Sequence, residues 1–326
     1  MKTTVVFHSA DWDGRFCAEI AKKFLPSDTE FIGWNHGDDP LPVPDGKIYI
    51  LDLPVDRVFG FIYEKLTNGE TMVKFQPGAN SQFFKSHNPF DFMDRVVWID
   101  HHKSSIETHP TTIPGYRIDG VAACRLAWQW FKRKGKSPEG SQREYETPLP
   151  VKSMFVDRFV SEPWAVRLAG EYDIWDKRDP DAELFQHGLR SRELNDITWK
   201  YMLGDDHVTG NHCVDDLLEG GKVLQFARTN ENASVIKEIG FTIEFEGMTF
   251  LACNAARYNS HLFTAGLKPE HDACFGFKWT GKNWSVSLYH APGKEHHDLS
   301  VIAKKYGGGG HAGACGYQTN KLSFLA

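Results

Sequence analysis

Three runs in the first 102 residues are rich in β-formers, and each delivers an acid or an imidazole at its end. TTVVF (Thr3–Phe7) leads into His8, KIYILDLPV (Lys47–Val55) carries Asp52, and RVVWIDHH (Arg95–His102) finishes on Asp100, His101 and His102. Helical patterns stand between and after these runs. GRFCAEIAKKF places Phe16, Ile20 and Phe24 four apart on one face, and Val121–Lys134 does the same with Ala123, Ala127 and Phe131. Strands alternating with helices predict an α/β domain built on a parallel, doubly wound sheet. In such sheets the ligand crevice lies outside the carboxyl ends of the strands, where His8, Asp52 and Asp100 fall.

The chain then changes character. Lys134–Pro150 is polar and rich in Gly, Pro and Ser, which predicts a loop within the first domain, and EPWAVRLAGEYDIWD (Glu162–Asp176) returns to a helical pattern. A charged, mixed stretch from about residue 179 to 238 reads as helical and bridging. From about Ile239 the pattern alternates, with turns at Glu246–Gly247 and Thr280–Asn283, which predicts a smaller α+β domain. The expected boundaries are residues 1–180 for the parallel-sheet domain, 181–238 for a helical linker and 239–326 for the second domain. A length of 326 residues fits two domains at roughly 100–200 residues each.

Composition narrows the function. A net charge of −6 gives no global pull toward the many phosphates of a long duplex, so a short or small anionic ligand is the better match. No run approaches the roughly 18 consecutive apolar residues of a membrane span, and MKTTVVFHSADWDG lacks a signal core, so no membrane partner and a cytoplasmic location are expected. The six cysteines are scattered with no C-x-x-C pair, which predicts reduced, packed thiols rather than a zinc knuckle or a disulfide framework. Carboxylates with a minority of imidazoles and no thiolate suit Mn²⁺ or Mg²⁺, histidine tilting the choice to Mn²⁺. Two such ions, roughly 3.5–4 Å apart, activate water and clamp a phosphoryl group.

HSADWDG (His8–Gly14), LDLPV with Asp52, IDHHKS with Asp100, and GGGGHAGACGY (Gly307–Tyr317), in that order, resemble the DHH/DHHA1 phosphoesterase superfamily, closest to its nano-RNase (oligoribonuclease) branch. The resemblance spans nearly the whole chain. It implies a parallel-sheet DHH domain with two Mn²⁺ ions and a smaller DHHA1 domain across a nucleotide-holding cleft. It further implies His8, Asp11, Asp13, Asp52 and His101 as metal ligands, with Asp52 as the bridge. In GEYDIWD the best match to the last ligand is Asp173, with Asp176 the runner-up. His102 would then face the scissile phosphate, with Asp100 fixing ring orientation.

The glycine run satisfies G-x-G-x-x-G, yet a helical stretch rather than a strand precedes it and the chain ends too soon for a dinucleotide fold. Gly308, Gly309, Gly310 and His311 are instead expected to meet the nucleotide, since a glycine loop brings backbone N–H groups close to an anion. Arg257, Asn259 and Ser260 are further candidates for substrate binding. The expected activity is a metal-dependent phosphodiesterase that degrades short single-stranded RNA or DNA, or dinucleotides, to mononucleotides. Alternatives of the same chemistry are a 3′-phosphoadenosine nucleotide phosphatase and a cyclic or linear dinucleotide hydrolase. A non-catalytic nucleotide sensor is the alternative of another class, and a homodimer is compatible with the sequence.

Overall fold

The computed structural model describes residues 2–65, 71–75, 93–109, 113–134, 150–204, 207–256 and 258–322. Most of the loop expected at Lys134–Pro150 lies outside the described residues. The chain divides into two compact units, residues 1–222 and 223–326.

In the first unit, β1 (Thr3–His8), β2 (Glu30–Trp34), β3 (Lys47–Leu51) and β6 (Val96–Ile99) form a four-stranded sheet in the order β2-β1-β3-β6. Every pairing is parallel. Its apolar runs have a packing cause. Val5, Leu51, Val97 and Ile99 face one core, with Phe16 and Ile20 of α1 (Trp12–Phe24) and Ala123, Ala127 and Phe131 of a later helix, Ala123–Lys134. Val6, Ile48, Ile50, Val96 and Trp98 face the other, with Val55, Val58 and Phe59 of α2 (Val55–Phe59). A sheet covered on both faces needs apolar residues at successive positions, as parallel sheets do. Between β3 and β6 runs a two-stranded hairpin, β4 (Phe61–Lys65) with β5 (Thr71–Phe75).

After β6 come α3 (Lys103–Thr108), α4 (Ala123–Lys134), α5 (Lys152–Val156), α6 (Trp164–Asp173), α7 (Asp181–Leu189), α8 (Asp196–Met202) and the long α9 (His207–Ile239). Phe185 and Leu189 of α7, Met202 of α8 and Val214 and Leu217 of α9 join the same core as the sheet. The division between units falls inside α9.

The second unit is a six-stranded sheet with the order β11-β12-β10-β9-β8-β7. β7 (Phe241–Phe245) and β8 (Met248–Asn254) form a hairpin at Glu246–Gly247, where both residues have positive φ, 50° and 76°. That is the backbone of a type I′ turn, whose twist matches the strands it joins. β9 (Ala273–Trp279) runs parallel to β8 and pairs antiparallel with β10 (Trp284–His290). Then follow α10 (Leu299–Lys305), capped by Asp298, β11 (Gly309–His311) and β12 (Ala314–Thr319). The parallel-sheet α/β domain and the smaller α+β domain expected from the sequence are both present. Among the described residues no helix is long and apolar enough to cross a membrane, and all six cysteines are free.

Candidate metal centre

Register brings the strand ends level. Leu51 of β3 pairs with Phe7 of β1 on one side and Ile99 of β6 on the other, so the next residues, His8, Asp52 and Asp100, stand side by side at one edge of the sheet. Asp52 leaves β3 with φ 59°, in the left-handed region. A non-glycine residue there costs about 1–3 kcal/mol and persists only where its surroundings hold it. At the end of β1 the chain turns straight into α1. Asp11 caps that helix by accepting from the N–H of Gly14 at 3.0 Å. A Cβ on Gly14 would lie 1.9 Å from the His8 carbonyl oxygen, so only glycine lets the first turn of α1 press against the strand end and bring Asp11 and Asp13 to His8.

Eight residues expected at the site converge. His8 Nδ1 lies 2.9 Å from Asp11 Oδ2 and 3.5 Å from Asp52 Oδ2. His101 Nε2 lies 3.4 Å from Asp52 Oδ1, 3.4 Å from Asp173 Oδ2 and 3.7 Å from Asp13 Oδ2. His102 Nδ1 is 2.7 Å from Asp100 Oδ1 and 3.9 Å from Asp52 Oδ1. Asp100 Oδ1 also accepts from the backbone N–H groups of His101 and His102, which fixes the fork where the two rings part. Asp173, the last residue of α6, is in the cluster, whereas Asp176 turns to the Arg178 guanidinium.

Among the described residues three sets of donors could each hold a cation: Asp52 with His101 and His102, His8 with Asp11 and Asp52, and Asp13 with His101 and Asp173. Ligands about 2.0–2.1 Å from a Mg²⁺ ion stand about 3–4 Å from each other, which is the spacing seen here. The buried Asp52 Oδ1 makes no hydrogen bond, an orphaned acceptor that a cation would satisfy. Asp13 is doubly engaged. Its two oxygens accept from the backbone N–H groups of Ala123 and Cys124 at the start of α4, at 2.9 and 2.8 Å, leaving lone pairs on the side of His101. The thiols of Cys17 and Cys124, driven well above their ordinary value chiefly by burial, stay outside the donor sets. The donors thus fit hard divalent cations.

Crowded acids and imidazoles shift one another. Hydrogen bonds to Asp11 and Asp52 hold His8 at about 10 against burial. Burial lowers His101, but Asp52, Asp13 and Asp173 outweigh it and carry the ring to about 10. Burial and the charge of Asp52 push Asp13 up to about 7, and burial with Asp13 drives Asp173 well above the carboxylate range. Asp52, raised by burial, is brought down to about 2 by His101 and His8. His102 is raised first by its hydrogen bond to Asp100. The cluster therefore holds protons that a cation would displace.

Sequence reading did not find His36, two residues beyond β2. Its ring centroid lies 5.5 Å from that of His8 and 6.4 Å from that of His102. Though the residue is exposed overall, partial desolvation of its ring and the cations His8 and Arg57 lower its pKa. The signal was EFIGWNH, a fourth strand with a polar pair at its end. Trp175, an exposed ring stacked on Tyr172, stands two residues past Asp173.

The remaining expected residues lie in the second unit. Gly308, Gly309 and Gly310 line a cavity of about 720 Å³ with Ser287, Tyr289 and Tyr317. His311 is exposed at the end of β11 and is not among its lining residues. Nor are Asn259, which caps a short 3₁₀ turn by accepting from the N–H of His261, and Ser260, the first residue of that turn. Their neighbour Tyr258 reaches the cavity wall, its hydroxyl donating to Ser287 Oγ at 3.4 Å. Arg257 lies outside the described residues.

No family model matches the sequence. No curated protein is significantly similar to it either. Solved structures are. A pGpG-specific phosphodiesterase from Vibrio cholerae is 15% identical over 98% of this chain and 94% of its own, with a TM-score of 0.46. The DHH domain of a member of a ribosomal-protein family is 13% identical over 98% and 83%, with a TM-score of 0.48. RecJ from Thermus thermophilus in complex with Mn²⁺ is 13% identical over 99% of this chain and 50% of its own, with a TM-score of 0.41. Each of the three aligns with nearly the whole of this chain.

Proposed function

We propose that this chain is a metal-dependent phosphodiesterase of the DHH/DHHA1 type that works in the cytoplasm and cuts very short RNA or DNA chains to mononucleotides. One observation carries the reading: the three donor sets are linked, Asp52 belonging to two of them and His101 to two, so a pair of cations would share ligands. Mn²⁺ suits the mixed carboxylate and imidazole donors, and Mg²⁺ is the close alternative. Such a pair supplies Lewis acidity for the transfer of a phosphoryl group to water.

The chain's own residues do the rest. Asp13, Asp52 and Asp100 are buried, so their charges act with little screening by water. His102, held by Asp100, offers its other ring nitrogen to a non-bridging oxygen of the phosphate. The glycine-lined cavity has the size of a small-molecule site and backbone rather than charged walls, which suits a terminal nucleotide. In this reading residues 1–180 carry out catalysis, residues 181–238 are the helical connection and residues 239–326 bind substrate.

The test is a panel of labelled oligonucleotides two to ten residues long, in Mn²⁺ and with a chelator. Turnover of the shortest members, stopped by the chelator, is the expected result. Faster phosphate release from a 3′-phosphorylated adenosine nucleotide would reassign the substrate. Binding of a dinucleotide without product in excess Mn²⁺ would make the chain a sensor.

A further inference from the structure

We propose that His36 is a further catalytic residue, whose ring N–H donates a hydrogen bond to a non-bridging phosphoryl oxygen of the bound substrate from the β2 side of the metal centre. The proposal rests on the hydrolytic reading above. No proton is transferred in this contact.

Register already puts His36 at the working edge of the sheet. Trp34, the last residue of β2, pairs with His8, so the chain leaves β2 level with the metal centre and His36 follows two residues on. The loop that carries it is held from several sides. Asn35 Oδ1 accepts from both the backbone N–H and the hydroxyl of Ser9, the residue after His8, at 3.2 and 3.1 Å. The Asn35 N–H donates to Asp38 Oδ2 at 2.8 Å, and the Asp38 N–H donates to the Asn35 carbonyl at 3.0 Å. The buried Trp34 indole donates to the Asp39 carbonyl at 3.0 Å. Gly37, with φ 103°, makes the turn that only glycine adopts freely.

A loop fixed this way presents one side chain in one place, its ring set edge-on to that of Trp34 with centroids 6.0 Å apart. His36 is exposed at the rim of the site. It also belongs to none of the three donor sets, although its ring sits against two of their histidines. An imidazole beside a cation centre but outside its ligands is placed for what the cations hold. A phosphoryl group has further oxygens to satisfy, and a preorganised donor aimed at one of them is worth on the order of 10²–10³ in rate where the site is dry. His36 is at the rim, so a smaller effect follows.

The experiment compares wild type with His36→Ala and His36→Gln on a labelled dinucleotide in Mn²⁺. It also measures Mn²⁺ stoichiometry by calorimetry and dinucleotide affinity in Ca²⁺. His36→Ala is expected to lower kcat about 10- to 50-fold and to weaken the dinucleotide about fivefold in Ca²⁺, with an unchanged number of Mn²⁺ ions. His36→Gln, which keeps an N–H donor, should recover part of both losses. An alanine variant within twofold of wild type in rate and affinity overturns the proposal, and so does the loss of one Mn²⁺ equivalent, which would make His36 a ligand. A wild-type chain that neither cuts nor binds the dinucleotide sinks the hydrolytic reading itself, and this inference with it.

Discussion

The two units offer a ligand opposite kinds of surface. At the parallel sheet, charged side chains from three strand ends and two helices meet in a largely buried cluster, and their pKa values are displaced in both directions. At the second sheet, the cavity is walled by glycine backbone, serine hydroxyls and tyrosine rings. Its ionisable groups stay neutral near pH 7, burial raising Cys315 to about 11 and Tyr289 above its ordinary value. In the proposed reading the first surface holds cations and does chemistry. The second is built to fit. Electrostatic function needs side chains fixed by rigid strands, whereas close backbone approach needs side chains removed.

The contrast is most exposed at Asp52. Asp52→Asn is expected to lower dinucleotide turnover on the order of 10³-fold, with the melting temperature nearly unchanged because asparagine tolerates φ 59° as aspartate does. A variant that keeps most of its turnover would remove the distinction between the two surfaces.

Next in size is pH. His8 and His101, at about 10, are protonated at pH 7 in the metal-free chain, and each must lose its proton to coordinate. Mn²⁺ affinity should therefore rise with pH, about 10²-fold between pH 6 and 8, as read by calorimetry in buffers of different ionisation enthalpy. Nucleotide binding to the second unit should be flat over that range. A flat Mn²⁺ profile would place the cation elsewhere.

Asp100→Asn should lower turnover about tenfold while leaving Mn²⁺ affinity within twofold, since Asp100 positions His102 and belongs to no donor set. The smallest effect belongs to the glycine cavity. A Cβ on Gly309 meets nothing within 4 Å, so Gly309→Ala is expected to fold like the wild type. The added methyl should raise KM a few-fold at constant kcat, a uniform loss of binding. If kcat falls and KM does not, that cavity takes part in the chemistry and the two surfaces share one function.

Much of this was legible in the linear chain because the signals are local. An apolar run that stops on an acid marks a strand end, and alternation around Glu246–Gly247 marks a hairpin. β2 escaped notice because its burial is uneven, with Glu30 and Gly33 exposed and Trp34 alone fully buried, and His36 was lost with it. The resemblance favoured Asp173 over Asp176, and the structure shows the physical difference: Asp173 ends α6 beside His101, whereas Asp176 lies beyond the helix and turns to Arg178.

The sequence by itself determined which chemistry is available: carboxylates and imidazoles at strand ends, no paired thiols, and a glycine run after a helix. Tertiary structure alone decided how those groups combine. Asp13 reaches across 110 residues to cap α4, Asp52 is shared between two donor sets, and the Asn35–Ser9 contact sets His36 over His8. Side-chain identity fixes what a group can bind, but a cation or a phosphate reads positions in space, and those follow from strand register and helix packing between residues far apart in the chain.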